Sequence, residues 1–173
     1  LFGPDVTKFV RAGTARKFFE TMPVVSLLTG EPEYLDTLGD DTPKGWIVAG
    51  YPWQLIDTPE HKAFLDAYQK RFNDYPRLGS IVGYMAIKSL AEGFRKAGAT
   101  DTESIRKAFS GLEVTSPFGQ ITYRPQDHQS TLGAYVGTLD TKDGRGIMTD
   151  IRYIDGATVQ PDDAQVAKLR PAK

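Results

Sequence analysis

Residues 23–30 read Pro-Val-Val-Ser-Leu-Leu-Thr-Gly, and residues 45–52 read Gly-Trp-Ile-Val-Ala-Gly-Tyr-Pro. Both stretches are short, apolar and bounded by glycine or proline, without strict alternation of apolar and polar residues. Continuous apolar runs of this length are typical of buried strands in parallel sheets. Helical patterns lie between and after them, so the order of elements predicts an α/β fold.

The helices are marked mainly by their ends. Residues 58–60 (Thr-Pro-Glu) supply a capping side chain, a proline for the first helical position and an acid for the positive end of the helix dipole. A second helix is predicted from Ser80 to a glycine stop at Gly98. Residues 100–103 (Thr-Asp-Thr-Glu) match a capping box, which predicts a third helix with Leu112 on its apolar face.

After Pro117 the pattern becomes rich in β-formers. Strands are predicted at residues 120–123, 134–139 and 150–154, and the polar, glycine-containing turn at 142–146 separates the last two. Asp140, Asp143 and Gly144 do not have the spacing of a calcium loop and are predicted to belong to this hairpin turn.

Composition excludes several classes of protein. The 173 residues carry 21 Lys and Arg against 22 Asp and Glu, a formal net charge of -1, which argues against a nucleic-acid partner. With no cysteine, disulfide scaffolds, thiolate metal sites and cysteine nucleophiles are excluded. No apolar run approaches the roughly 20 residues of a membrane span.

Catalytic signals are weak. The sequence contains no G-x-S-x-G elbow, P-loop or G-x-G-x-x-G fingerprint. His61 is predicted to be a solvated residue on the polar side of its helix. His128 has Asp127 and Ser130 as neighbours, but sequence neighbours on one loop seldom form a triad. We therefore expect a protein that is not an enzyme and needs no cofactor or metal.

Acidic residues cluster at Glu31, Glu33 and Asp36 and again at Asp40 and Asp41. Paired carboxylates can serve as a glycosidase dyad or as a hard-cation site. They can equally form a solvated, charged loop, and the sequence leaves these alternatives open.

The ends of the predicted strands are the best candidates for a binding site. In open α/β sheets, ligands bind just beyond the carboxyl ends of the strands. Aromatic rings there can form a wall, glycines expose backbone N–H groups, and an acid can bind an ammonium group. The aromatic side chains can alternatively belong to the core, and Glu31 can be an acid at a helix start. The candidate ligand-binding residues are Phe2, Gly3, Thr29, Gly30, Glu31, Tyr51 and Trp53.

Five motifs, in order, carry a resemblance to a known family. They are residues 45–52, residues 58–64 with 68–72, residues 83–87, residues 97–101 (Ala-Gly-Ala-Thr-Asp) and residues 115–123 (Thr-Ser-Pro-Phe-Gly-Gln-Ile-Thr-Tyr). Their order and spacing resemble the periplasmic solute-binding proteins of branched-chain amino acid-type ABC transporters. The resemblance implies a type I periplasmic binding fold with mainly parallel sheets flanked by helices.

The family also implies two lobes, joined by three crossings, that close on a ligand. By position, residues 1–50 resemble part of the second lobe, residues 51–128 the segment that returns to the first lobe, and residues 129–173 a last excursion into the second lobe and a tail. The resemblance places Phe2 and Gly3 at a loop facing the cleft. It places residues 29–31 where a family acid binds the ligand's amino group, and residues 51–53 at a hinge crossing.

This resemblance implies a periplasmic protein that captures an amino acid, an amide or an aromatic acid and hands it to an ABC permease. The alternative on the same fold is a ligand-sensing receptor or an amide-type regulatory domain. Family members are longer than this chain, and Leu1 stands where a gene product would begin with Met. We therefore expect a C-terminal part whose partner is the missing N-terminal half, or a form that self-associates. The loop Gly30-Glu31-Pro32-Glu33 departs from the commoner family sequence, which widens the range of expected ligands.

Overall fold

The computed structural model describes residues 1–169. The predicted segment 129–173 therefore extends four residues beyond the described part of the chain. The helices are α1 (Pro4–Ala15), α2 (Pro32–Leu38), α3 (Pro59–Phe72), α4 (Leu78–Ala97), α5 (Thr102–Phe109) and α6 (Asp163–Leu169). The strands are β1 (Val25–Gly30), β2 (Ile47–Gly50), β3 (Leu112–Ser116), β4 (Gly119–Tyr123), β5 (Ala134–Lys142) and β6 (Arg145–Ile154).

The chain divides into two compact units. The first contains Leu1–Leu55, Pro76–Leu78 and Ala134–Ile154, and the second contains Ile56–Tyr75, Gly79–Gly133 and the chain from Asp155 onward. The first unit therefore holds α1, α2 and the strands β1, β2, β5 and β6. The second holds nearly all of the helical residues from 59 to 109 and the β3–β4 hairpin.

The first unit is built on a four-stranded sheet with the order β1-β2-β5-β6. The α/β class predicted from the sequence is confirmed, but the sheet is not mainly parallel. Only β1 and β2 run parallel, whereas β2 pairs with β5, and β5 with β6, in antiparallel fashion. For β5 and β6 the reason is the tight turn at Asp143 and Gly144, whose φ angles of 52° and 77° suit a two-residue hairpin. Such a turn returns the chain only antiparallel to itself.

One face of this sheet carries the core of the first unit. Side chains from α1, α2, β2 and β5 meet there, among them Val10, Tyr34, Val48 and Leu139. On β1, Val25 and Leu27 are 70% and 76% exposed, so this strand is not buried on both faces. The prediction of a fully buried strand was wrong here because alternate side chains of β1 point to the other face of the sheet, where Ile47 on the neighbouring strand β2 is also 50% exposed.

In the second unit the predicted helix signals hold at two of three places. The Thr58 hydroxyl accepts a hydrogen bond from the His61 backbone N–H (3.1 Å), and α4 stops at Gly98, which has a φ of 59°. The third helix is capped by Asp101 instead of Thr100, because the Asp101 carboxylate accepts from the Ser104 backbone N–H at 3.0 Å.

The predicted third helix was also too long. It ends at Phe109, and Gly111 takes a φ of 67°, in the left-handed region that breaks a helix. Leu112 is instead the first residue of β3 and packs with Val114 and Ile121 in the core of the second unit. Among residues 1–169, no helix is long and apolar enough to cross a membrane.

Candidate functional site

The candidate site lies in the first unit, where β1 and β2 end side by side. Because the two strands are parallel, their carboxyl ends share one edge of the sheet, and Gly30 is paired with Gly50 at that edge. A Cβ on Gly50 would lie 2.2 Å from the Gly30 carbonyl oxygen, and a Cβ on Gly30 would lie 2.6 Å from the Ala49 carbonyl oxygen. Glycine at both positions therefore permits the close approach that brings Glu31 next to Tyr51.

Glu31 is a buried acid with one of its two carboxyl oxygens left without a hydrogen-bond partner among the described residues. Its side chain is 5% exposed, and its carboxylate accepts a hydrogen bond from the Tyr51 backbone N–H. The other carboxyl oxygen, Oε2, is buried and has no partner among the described residues. Such a buried oxygen is satisfied in a native protein by a water, an ion or a ligand.

The electrostatic surroundings of Glu31 favour its neutral form. Burial raises the pKa of the carboxyl to about 8, the nearby Glu33 carboxylate adds to the rise, and the Tyr51 N–H partly opposes it. Below that pH the free protein holds this carboxyl protonated. A cation placed against it would favour the ionised form instead.

Two tyrosines, Tyr51 just after β2 and Tyr135 on β5, lie near Glu31. Tyr51 is 1% exposed, and burial, with smaller effects from Tyr135 and Glu31, raises the pKa of its hydroxyl above the ordinary value. Tyr135 lies opposite Gly50 on β5, and its ring packs on that of Tyr153, with the ring centres 5.1 Å apart. The side chains behind Glu31 are therefore uncharged and aromatic.

The loop before α1 is tied to the same region. The Gly3 backbone N–H donates to the Tyr34 hydroxyl at 3.0 Å, and Tyr34 lies on α2, three residues after Glu31. Gly3 has a φ of 58°, in the left-handed region that favours glycine. Phe2, next to it, is 76% exposed. This hydrogen bond keeps Phe2 and Gly3, two of the predicted site residues, beside α2, the helix that follows Glu31.

The two remaining predicted site residues, Thr29 and Trp53, make hydrogen bonds to their own chain neighbours. Thr29 is fully buried, and its hydroxyl bonds to the Ser26 hydroxyl within β1. Trp53 is half-buried, and its backbone N–H donates to the Tyr51 carbonyl at 2.9 Å. The structure thus brings Glu31, Tyr51 and the glycines together, while the Thr29 side chain serves the strand itself.

Sequence reasoning missed two contributors, Tyr34 and Tyr135. Tyr34 carried a local signal, because a residue three positions after Glu31 lies one helical turn further along α2. Tyr135 carried none, because its place depends on the antiparallel pairing of β5 with β2, residues about 85 positions apart in the chain.

The histidines do not form a second site. His61 was predicted to be solvated, but it is fully buried in the first turn of α3 with its ring 6.3 Å from that of Phe64. Burial lowers its pKa, so the ring is neutral near pH 7. Near His128, Asp127 is ion-paired with Arg124, and the Ser130 hydroxyl accepts from the Leu132 backbone N–H at 3.1 Å.

Two of the other four acids in the two clusters have basic partners. Asp36 lies 3.6 Å from Arg77, and Asp41 lies 2.7 Å from Arg11. Within residues 1–169, no group of three or more acids and histidines is placed to hold a metal ion. Glu31 therefore differs from these acids in being buried and in having no basic partner in the described chain.

Comparison with known proteins places the chain in a family. A model of the periplasmic binding protein family matches residues 1–145. Leu/Ile/Val-binding protein homolog 7 of Brucella melitensis is 25% identical over 116 residues, which are 65% of this chain and 27% of that protein. The chain therefore spans about a quarter of the length of this curated relative.

Solved structures agree on the fold. The amino acid ABC transporter substrate-binding protein of Pseudomonas fluorescens Pf-5 has a TM-score of 0.77 at 19% identity, over 96% of this chain and 45% of that one. A Rhodopseudomonas palustris solute-binding protein of an ABC transporter, solved with 4-hydroxybenzoate, has a TM-score of 0.72 at 23% identity, over 94% and 44%.

These likenesses confirm the resemblance noted from the sequence motifs, over less than half of the solved chains. The family match covers most of the sequence, and the fold agrees with it. The chain belongs to the periplasmic binding protein family.

Proposed function

We propose that this chain is part of an extracytoplasmic solute-binding protein that captures a small organic ligand bearing a primary ammonium group for import by an ABC permease. The observation that carries the proposal is the buried Glu31 carboxyl, with one oxygen bonded to the Tyr51 N–H and the other without a partner. An ammonium group donates the hydrogen bond that this oxygen lacks and favours the ionised carboxylate. A role as a receptor without catalytic activity agrees with the family, which consists of binding proteins.

Several features support an amino acid as the ligand class. The relatives with curated names include a leucine-, isoleucine-, valine-, threonine- and alanine-binding protein of Pseudomonas aeruginosa, 25% identical over 89 residues. In this chain Tyr135 and Tyr153, which are half-buried and stacked near Tyr51, offer aromatic surface for an apolar side chain. We propose Phe2, Gly3, Gly30, Glu31, Tyr51 and Trp53 as the ligand-facing set on the first unit. We propose that Thr29, whose hydroxyl bonds to the Ser26 hydroxyl, stabilises the end of β1 and so supports this set without contacting the ligand.

A second ligand class has its own support. The Rhodopseudomonas palustris structure contains 4-hydroxybenzoate, which has a carboxylate and no ammonium group. Against a protonated Glu31, such a carboxylate could accept a hydrogen bond. The two ligand classes therefore make opposite demands on the same side chain, and one substitution distinguishes them.

We further propose that the first unit belongs to the second lobe of the complete protein and that most of the second unit belongs to the first lobe. The unit boundaries differ by a few residues from the predicted bounds 1–50, 51–128 and 129–173, and the chain from Asp155 onward lies with the second unit. The relatives' additional length supports a partner segment, the N-terminal half, that supplies the remaining ligand contacts. We also propose a periplasmic location and delivery to a permease, which the same family relationship supports.

The test is calorimetry on protein expressed from the complete gene, with L-leucine and 4-hydroxybenzoate as ligands. Glu31→Gln keeps the size of the side chain and removes its charge, so we expect L-leucine affinity to fall by more than about tenfold. The matched control is Glu33→Gln, which removes an exposed carboxylate in the same loop. L-leucine binding that is unchanged in Glu31→Gln would remove Glu31 from the site, and binding of neither ligand would contradict the proposed ligand classes.

A further inference from the structure

Glu31 combines three properties that no other described acid shares. It is 5% exposed, its Oε2 atom has no hydrogen-bond partner, and it has no basic residue paired with it in residues 1–169. Asp127 also has a nearly buried side chain, but it forms an ion pair with Arg124. A buried carboxyl without a cation is expected to hold a proton, because the cost of burying an isolated charge is high.

The groups around Glu31 reinforce this expectation. The titratable neighbours are Glu33 on its own loop and α2, Tyr51 after β2, and Tyr135 on β5 behind Tyr51. All of them are acids that are neutral or negative. Two guanidinium groups contact α2 and its end, but Arg77, just before α4, is paired with Asp36, and Arg11, on α1, is paired with Asp41. Only the Tyr51 backbone N–H favours the ionised carboxylate.

We propose that ligand capture at this site is coupled to proton release: the free protein holds a proton on Glu31, and the ammonium group of the ligand displaces it. This inference rests on the proposed function and adds the stoichiometry of that site. The proton leaves the carboxyl for solvent, the carboxylate accepts an N–H bond from the ammonium, and about one proton is released for each ligand bound near neutral pH. A pKa of about 8 for the free carboxyl supports the same conclusion.

The coupling has a functional consequence. Because the released proton enters the binding equilibrium, affinity for an ammonium ligand rises with pH up to the pKa of free Glu31 and then levels off. A ligand without an ammonium group releases no proton, since it gives the carboxylate no cation. The site therefore discriminates between the two ligand classes through protonation as well as through shape.

The experiment is a carboxyl-carbon NMR titration of protein expressed from the complete gene and labelled in glutamate, from about pH 5 to pH 10. The signal that disappears in Glu31→Gln is that of Glu31. If that variant does not fold, the Glu31 signal is identified as the one that shifts when the neighbouring Glu33 is replaced in Glu33→Gln. We expect Glu31 to titrate near pH 8 without ligand. With saturating L-leucine we expect the midpoint to fall below about pH 6. With 4-hydroxybenzoate it should not fall.

Two control results sharpen the test. Glu33→Gln should lower the midpoint of free Glu31, because it removes the like charge, while the response to L-leucine persists. A Glu31 carboxyl already ionised at pH 6 in the free protein would overturn the proposal, and so would a midpoint that L-leucine leaves unchanged. If calorimetry detects L-leucine binding in either case, the proposed function survives and only the proton coupling fails.

Discussion

Glu31 at the end of β1 and His61 in the first turn of α3 are both buried, titratable and held in their uncharged forms. Their surroundings differ. The His61 backbone N–H donates to the capping hydroxyl of Thr58, and a hydrogen bond with the Ile56 backbone favours the charged form of the His61 ring against the effect of burial. Glu31 has one backbone donor, a like-charged neighbour and an oxygen without a partner.

The difference teaches that burial of a titratable group does not by itself mark a binding site. His61 packs against Phe64 within a helix whose ends are satisfied, so its neutral ring serves as part of the core. At Glu31 the like-charged Glu33 and the lack of a basic partner among the described residues leave the carboxyl without a neighbouring positive charge. That lack of a cation, at the carboxyl ends of two parallel strands, distinguishes a candidate ligand site from a structural group.

The largest change in stability is expected from a substitution that forces β1 and β2 apart next to Glu31. Gly50→Ala would place a Cβ 2.2 Å from the Gly30 carbonyl oxygen, so the strands must separate. We expect the free energy of unfolding of the first unit to fall by about 3 kcal/mol or more. Urea unfolding followed by tryptophan fluorescence reports on this unit, because Trp46 and Trp53 both lie in it.

The matched control lies on the helical side of the comparison. Gly83 is exposed in the middle of α4, and a Cβ there meets nothing within 4 Å. Gly83→Ala should therefore raise stability by up to about 1 kcal/mol through helix propensity. Equal effects of the two substitutions would show that the close approach of Gly30 and Gly50 does not matter.

A pH series separates the two buried groups by the sign of their effects. The pKa of Glu31 is raised on folding, so the native state binds more protons than the unfolded state between about pH 4.5 and 8. Stability should fall across that range by up to roughly 1.4 kcal/mol per pH unit, and Glu31→Gln should abolish the fall.

The pKa of His61 is lowered on folding, so its effect has the opposite sign. Here the unfolded state binds more protons as the pH falls below 6.5, the ordinary pKa of histidine, and stability is lost toward acid pH. His61→Leu should remove this loss of stability at acid pH (the acid limb). Unfolding followed by the helical signal in circular dichroism, to which α3 and α4 contribute, would detect the change. An acid limb that persists in the variant would mean that other groups cause it.

The smallest expected effect concerns the tie between Gly3 and Tyr34. Tyr34→Phe removes the hydroxyl that accepts the Gly3 N–H and keeps the buried ring. We expect a loss of about 1 kcal/mol in stability and faster hydrogen exchange at the Gly3 amide. Tyr84→Phe, on an exposed ring of α4, is the control and should leave that amide unchanged.

Part of the candidate site was within reach of sequence reasoning. Local rules identify the positions after two apolar strands, so Glu31 and Tyr51 could be predicted together from the rule that ligands bind at strand ends. They could not predict that the Thr29 hydroxyl bonds within its own strand, or that Tyr34 holds Gly3. Those contacts depend on how elements pack, which local spacing does not encode.

What the sequence alone determined is local and largely steric. Thr58 and Pro59 start a helix, Gly98 stops one, and Asp143 with Gly144 turns a hairpin, because each depends on the conformational preferences of a few neighbouring residues. Only the tertiary structure decided that His61 is buried, that β1 is an edge strand and that Leu112 begins a strand. It also decided that Glu31 keeps an unpartnered oxygen out of water, because burial and charge pairing arise from segments distant in the chain.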